Sequence, residues 1–231
     1  MCGRYRLKRH WEQDLIGTWR FIVEKIDLDE ERADVRPTDE MPIIRLEDHR
    51  PIMEMRRWGI LRLMPGAPNH RTGEPGKLVK KPLHNAKSET AAILPTFRKP
   101  FAGGRCLVPI SSWYEWPALA SGKQRVEISQ LDQKTMFAAG LYETSKDFKS
   151  GRPVLTFLML TTKPNEFLGN IRDRSPLILD PRDYENWLFG DVAQAQALCG
   201  VLPDSSRYDV RPAPEPVAAV TQPPESQQRL F

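Results

Sequence analysis

Apolar residues recur at helical spacing near the start of the chain and then switch to a shorter period. Trp11, Leu15, Ile16, Trp19, Ile22, Val23 and Ile26 fall on one face of a 3.6-residue repeat, which predicts an amphipathic helix over 11–26. Beyond it the apolar runs are short or alternating, as half-buried strands require. They predict strands at 42–46, 51–58, 105–109, 124–129, 135–142 and 153–161. Turn-forming ASGKQ and KDFKSGRP separate the later ones. Asp180 ahead of Pro181 reads as an N-cap and first helical residue, opening a helix through Trp187 and Leu188, and 192–198 reads as another short helix. The stretch 64–82, rich in Pro, Gly and Lys, predicts a long surface loop. From Pro212 onward the chain is rich in Pro, Gln and Ala, which predicts a disordered tail. The pattern as a whole predicts an α+β fold, mainly β, over residues 1–211, with a few peripheral helices and a tail over 212–231.

Composition narrows the function classes. A chain of 231 residues, 40% hydrophobic and 28% charged, suits one soluble domain. No apolar run approaches the ~20 residues of a membrane span, and charges stand where a secretion signal needs an apolar core. A cytoplasmic monomer without membrane contact is expected. Cys2, Cys106 and Cys199 are widely spaced and make neither a disulfide framework nor, with the four scattered histidines, a zinc site. No metal or other cofactor is expected. A net charge of +4 and a pI near 9.0 permit a polyanionic partner.

The chain opens MCGRYRLKRH. Cysteine is small enough for Met1 to be removed, which would place a thiol and a free α-amine on one residue, Cys2. With an amine pKa near 7.7–8.0, roughly a tenth of that amine is neutral at pH 7. Such a 1,2-aminothiol can condense with an aldehyde and close a thiazolidine, or its thiol can attack an acyl group with the amine as base. Two further stretches bear on the choice. HNAKSETA (84–91) sets Asn85, Lys87 and Glu89 close together, although by itself it also reads as a helix start capped by Asn85 or Ser88. In SSWYEWP, Glu115 stands among Trp113, Tyr114 and Trp116; partial desolvation there would raise its pKa towards neutrality and make it a proton shuttle.

Taken together, MCGRY, Trp58-Gly59, NAKSET (85–90), WYEW (113–116), AAGLYE (138–143) and DRSPLIL resemble the SRAP family, the SOS response-associated peptidases, from Cys2 to about residue 190. The resemblance implies a mainly β domain with a positively charged channel that binds abasic sites in single-stranded DNA. It further implies a covalent thiazolidine between the ring-opened sugar aldehyde and Cys2 after loss of Met1, which shields the lesion, and a nucleoid-associated location. Carried over by position, Cys2 is the nucleophile, Asn85 positions the amine or sugar, and Glu115 exchanges protons. Arg4 and Lys87 match phosphate contacts, and Trp58 lies on the channel wall. Tyr5 could stack on a base or serve strand packing.

The chain also departs from the family pattern. Where the family carries I-H-x-R-x-P, this sequence reads Ile171-Arg172-Asp173-Arg174-Ser175-Pro176, so the histidine position is Arg172, which cannot shuttle a proton. His84 is a candidate replacement. The family's N-x-x-P is Asp34-Val35-Arg36-Pro37, and the Arg of its NAR-x-E-T is Lys87. A second Trp after Trp58-Gly59 is missing, which leaves Leu63 and Met64 as candidate wedges between bases. Two other readings stand beside this one: a non-covalent single-strand binding module of the same fold, and an N-terminal-cysteine amidohydrolase, whose Asn-Gly oxyanion element is absent. Finally, the ending Gln227-Gln228-Arg229-Leu230-Phe231 resembles the Q-x-x-L-F peptide by which bacterial repair proteins dock on a replicative sliding clamp.

Overall fold

Five strands close on one another: β3 (Glu40–Glu47), β4 (Arg50–Trp58), β8 (Arg105–Ile110), β13 (Met136–Lys146) and β14 (Pro153–Thr162). Their order is β13-β8-β3-β4-β14, and β14 returns to pair with β13, giving a barrel-like sheet in a computed structural model that describes residues 2–15, 30–68, 70–119, 122–200 and 207–214. Only the β4–β14 pairing within this ring is parallel. Closure removes the exposed edges of an open sheet. Two short strands extend from β14: β7 (Asn85–Lys87), parallel, and β15 (Ser175–Pro176), antiparallel.

A second sheet has the order β16-β12-β9-β1-β2, formed by β1 (Tyr5–Leu7), β2 (Arg32–Val35), β9 (Ser112–Glu115), β12 (Val126–Gln130) and β16 (Tyr208–Pro212). Hairpins β5–β6 (Ile60–Pro65, Leu78–Leu83) and β10–β11 (Ala118–Leu119, Gly122–Lys123) complete the strands. The described helices are short: α1 (Ser88–Ala91), α2 (Pro95–Gly103), α3 (Glu166–Gly169), α4 (Tyr184–Phe189) and α5 (Val192–Ala197). Their shortness follows from sequence, since β-branched and aromatic runs dominate and Pro or Gly stands near most helix ends. None of the described helices is long and apolar enough to cross a membrane.

The core is aromatic and well paired. Trp58 is fully buried, with Tyr5 edge-on at 5.1 Å and Phe157 stacked at 6.5 Å, and its Nε1 donates to the His84 carbonyl at 2.8 Å. Trp187 packs on Phe101 and donates to the Cys106 carbonyl at 2.9 Å. Two glycines in the quoted motifs answer to geometry. Gly59 takes φ 133°, which lets the chain turn directly after Trp58. At Gly140 a Cβ would come within 2.7 Å of Val108 Cγ2 and 2.8 Å of Cys106 Sγ, so the β8–β13 contact excludes any side chain.

The predicted strands appear within a few residues of their expected limits, and Asp180 caps the turn that leads into α4, its side chain accepting from the Arg182 N–H. Three expectations need correction. The stretch 64–82 is not one loop: its ends are strands of the β5–β6 hairpin, hidden from pattern reading because most β6 side chains are exposed and so do not alternate. The helix expected over 11–26 begins as a 3-10 turn, Trp11–Asp14, after which Leu15 is extended; residues 16–29 lie outside those described. Pro212 belongs to β16, paired with Val126, rather than to a loose tail. The clamp-like residues Gln227, Leu230 and Phe231 lie outside the described residues.

Candidate active site

The reactive end of the chain is set by β1, an interior strand. Tyr5 pairs with Val35 on one side and Trp113 on the other, and the Arg4 carbonyl accepts the Tyr114 N–H at 3.0 Å. Cys2 is thereby drawn inside and is fully buried, its Sγ donating to the Arg4 carbonyl at 3.6 Å. Burial, reinforced by the charge of Glu115, pushes the thiol well above its ordinary range. It is therefore held as S–H.

Asn85 reaches the same point from β7. Its backbone runs beside Met159 of β14, and the preceding carbonyl of His84 accepts the Met159 N–H at 3.0 Å. Its Nδ2 donates to the Cys2 carbonyl, while Oδ1 is buried without a partner. The capping role that HNAKSETA also suggested is not taken up: α1 starts at Ser88, its N-cap is Lys87, and no side chain caps it.

Glu115 ends β9 and is almost wholly buried. Desolvation raises its pKa; the N-terminal ammonium and Arg172 pull it back, and Asp173 adds to the rise. Oε2 lies 3.2 Å from Arg172 Nε, whereas Oε1 is buried without a partner. Arg172 itself is 47% exposed. It hangs from a well-anchored segment. Its own N–H bonds the Leu168 carbonyl at 3.1 Å, and two residues on Arg174 grips both oxygens of Glu89 at 2.7 Å and also donates to the Thr161 carbonyl. The structure thus brings Cys2, Asn85, Glu115 and Arg172 together.

Other sequence candidates are placed differently. Trp58 is a buried support behind the site rather than a surface a base could touch, because its ring is enclosed by Tyr5, His84 and Phe157. Tyr5 is likewise buried, which closes base stacking and leaves its packing role. His84 is half-buried against Trp58, and burial, with Lys81 nearby, lowers its pKa, so it is neutral at pH 7. Lys87 is exposed two residues beyond Asn85. Leu63, 56% exposed, and Met64, half-buried, sit on the separate β5–β6 hairpin. Arg4 gives its Nη1 to both oxygens of Asp34, at 2.9 and 2.7 Å. Sequence reasoning missed this pair and the Glu89–Arg174 pair, although all four residues lie in the motifs quoted above.

A neutral thiol, a carboxyl raised by burial, an amide donor and a fixed cation suit addition of an amine and a thiol to a carbonyl, with the carboxyl moving protons. The family model "SOS response associated peptidase (SRAP)" matches residues 1–220. The chain is 30% identical over 197 residues to abasic site processing protein YoqW of Bacillus subtilis, covering 81% of this chain and 80% of that one. It is 28% identical over 200 residues to abasic site processing protein YedK of Escherichia coli, covering 85% and 83%. In fold it resembles a crystal structure of a Bacteroides thetaiotaomicron protein, with a TM-score of 0.71 at 21% identity over 91% of both chains.

The Arg174 hydrogen bonds lower the Glu89 carboxyl to about 2, against about 4.3 for a free glutamate. A depressed pKa contributes stability above the unfolded value and loses it as pH falls through the folded one. Glu89→Gln should therefore lower the urea midpoint at pH 7, and the deficit should shrink between about pH 4.5 and pH 2. A deficit that stays constant across that window would remove the pair from the stability of the site.

Proposed function

This chain belongs to the SRAP family, and from that premise we propose that it processes abasic sites in single-stranded DNA, capturing the lesion covalently on Cys2 once Met1 has been removed. The observation that carries the reading is the meeting of Cys2, Asn85 and Glu115 from three distant segments at one buried point. The relatives' naming as abasic site processing proteins supports the substrate class. The reading places the protein at the nucleoid, acting on single strands.

Removal of Met1 leaves the α-amine on Cys2. Its nitrogen adds to the aldehyde of the ring-opened sugar, and loss of water gives an imine. Sγ then adds to the imine carbon, and the thiol proton moves by way of Glu115 to nitrogen, closing the thiazolidine. One water is released in total, and no oxidant is needed. A buried, neutral thiol makes the proton acceptor indispensable, since little thiolate exists to attack unaided. Asn85, bonded to the Cys2 carbonyl, fixes the amine relative to the sugar. Arg4 and Lys87 supply cations for the flanking phosphates.

Arg172 changes the proton economy of this member. A permanent charge 3.2 Å from Glu115 favours the carboxylate at every accessible pH. Arg172 thus holds more of Glu115 in the carboxylate form that can take up the thiol proton, but unlike a histidine at this position it has no proton of its own to give. Release of the adduct, which needs a proton donor, should therefore be slow.

The following outcomes test these statements. Purified protein incubated with an oligonucleotide carrying one abasic site should give a heat-stable adduct on a denaturing gel. Cys2→Ala should abolish it and Cys106→Ala should not. Glu115→Gln should slow it by roughly 10²–10⁴-fold with far less effect on binding. A heat-stable adduct from Cys2→Ala would refute the thiazolidine. Because Arg172 pulls the Glu115 pKa down, Arg172→Gln should move the acidic limb of the capture pH profile upward, and Arg172→His should speed release and make it titrate over about pH 5.5–7.5. An unmoved limb would mean that Arg172 does not act through Glu115.

The ending Gln227-Gln228-Arg229-Leu230-Phe231 supports a sliding clamp as second partner, with Leu230 and Phe231 filling an apolar pocket. A peptide spanning 223–231 should bind a bacterial clamp with a Kd of about 1 μM. Leu230→Ala with Phe231→Ala should abolish binding; no binding by the unmodified peptide at about 100 μM would end the idea.

A further inference from the structure

One carboxylate faces three arginines beside the reactive end of the chain. Asp34 Oδ1 accepts from Arg4 Nη1 at 2.9 Å and Arg125 Nη2 at 3.3 Å. Oδ2 accepts from Arg4 Nη1 at 2.7 Å, Arg36 Nε at 2.8 Å and Arg36 Nη2 at 2.7 Å. The segments are distant, but the β1–β2 register brings Arg4 and Arg36 next to each other, since Tyr5 pairs with Val35. The three cations differ in freedom. Arg125 is buried, its guanidinium 3.6 Å over the Tyr114 ring and its Nη1 on the Pro214 carbonyl at 2.9 Å. It is a fixed base on which Asp34 sits. Arg4, whose guanidinium lies 5.9 Å over the Trp116 ring, and Arg36 are 28% and 51% exposed.

Among the described residues Asp34 takes only Nη1 of Arg4, leaving Nε and Nη2 for another acceptor. The other acidic group in contact is Asp39, whose Oδ2 accepts the Arg36 backbone N–H at 2.8 Å. Three cations against two anions leave one positive charge. Such a cluster is suited to an acceptor with several oxygens and one negative charge. Arg4 lies two residues from Cys2, whose Sγ donates to the Arg4 carbonyl at 3.6 Å.

We propose that Arg4 and Arg36 form a two-fingered phosphodiester site next to Cys2, and that Asp34, seated on Arg125, is a built-in competitor for the same guanidinium donors. This rests on the single-strand reading above and deepens it by adding Arg36 as a binding residue and Asp34 as the residue that sets affinity. The carboxylate keeps the two arginines aligned in the free protein. A backbone phosphate must draw donors away from it, so binding is weaker and less salt-dependent than three arginines alone would give. An uncharged residue at position 34 would keep a hydrogen-bonding oxygen without the competing charge.

The test is binding of full-length protein to an undamaged oligothymidylate, followed by fluorescence anisotropy across a salt series. Damage-free DNA separates the result from covalent chemistry. Arg36 is half-exposed, and Arg36→Gln should weaken binding about tenfold at low salt and flatten the slope of log K on log salt by about 0.7, the value of one single-strand phosphate contact. Asp34→Asn should tighten binding several-fold and steepen the slope by a comparable amount. An Asp34→Asn protein that folds yet binds no more tightly overturns the competitor role. An Arg36→Gln protein with unchanged affinity and slope overturns the site, whether or not Asp34→Asn folds. Should the unaltered protein itself fail to bind, the single-strand reading falls and takes this inference with it.

Discussion

The interior position of β1 is the constraint on which the site depends. First strands commonly lie at a sheet edge, where a terminus can fray. Here Tyr5 is hydrogen-bonded on both sides, to β2 and to β9. The residues immediately before it have no freedom to swing outward, and Cys2 is delivered to a buried point where Asn85 and Glu115 meet it. A side chain near a chain end ordinarily pays for any fixed geometry with its own mobility, and fixing it beside a sheet strand settles that orientation in advance.

The site also leaves polar groups unmatched. Tyr5 OH, Asn85 Oδ1 and Glu115 Oε1 are all buried without a protein partner. Each such group costs about 1–3 kcal/mol relative to a satisfied one. A fold that tolerates three around one cysteine keeps acceptors and a donor ready for a group that is not part of the chain. The surrounding aromatic core, with Trp58 and Trp113 fully buried, supplies the stability against which this is set.

Much of this was legible in sequence. Periodicity locates the barrel strands because their inward residues are apolar, and the motifs single out Cys2, Asn85 and Glu115, which the fold brings to one point. What was not legible depends on closure and register. Asp34 meets Arg125 across 91 positions, and Arg172 lies 57 positions (172 − 115) from Glu115, so neither pair leaves a local mark. The stretch 64–82 reads as a loop because Lys80, Lys81 and Pro82 are exposed and carry no alternation, although its ends belong to β5 and β6. The family resemblance puts Trp58 on a channel wall, whereas its ring is fully buried. Burial was decided by a carbonyl, that of His84, placed to receive its indole N–H.

The segment 171–176 separates attachment from chemistry. Arg174 holds it to Glu89 and Thr161, while Arg172, two residues earlier, projects half-exposed onto Glu115. A replacement at 172 therefore alters which ion faces the carboxylate without disturbing any packing that the backbone depends on. This arrangement makes the reactivity of the pocket interchangeable at a single codon. The ion that faces the buried carboxylate can be exchanged there while the anchors of the segment stay as they are.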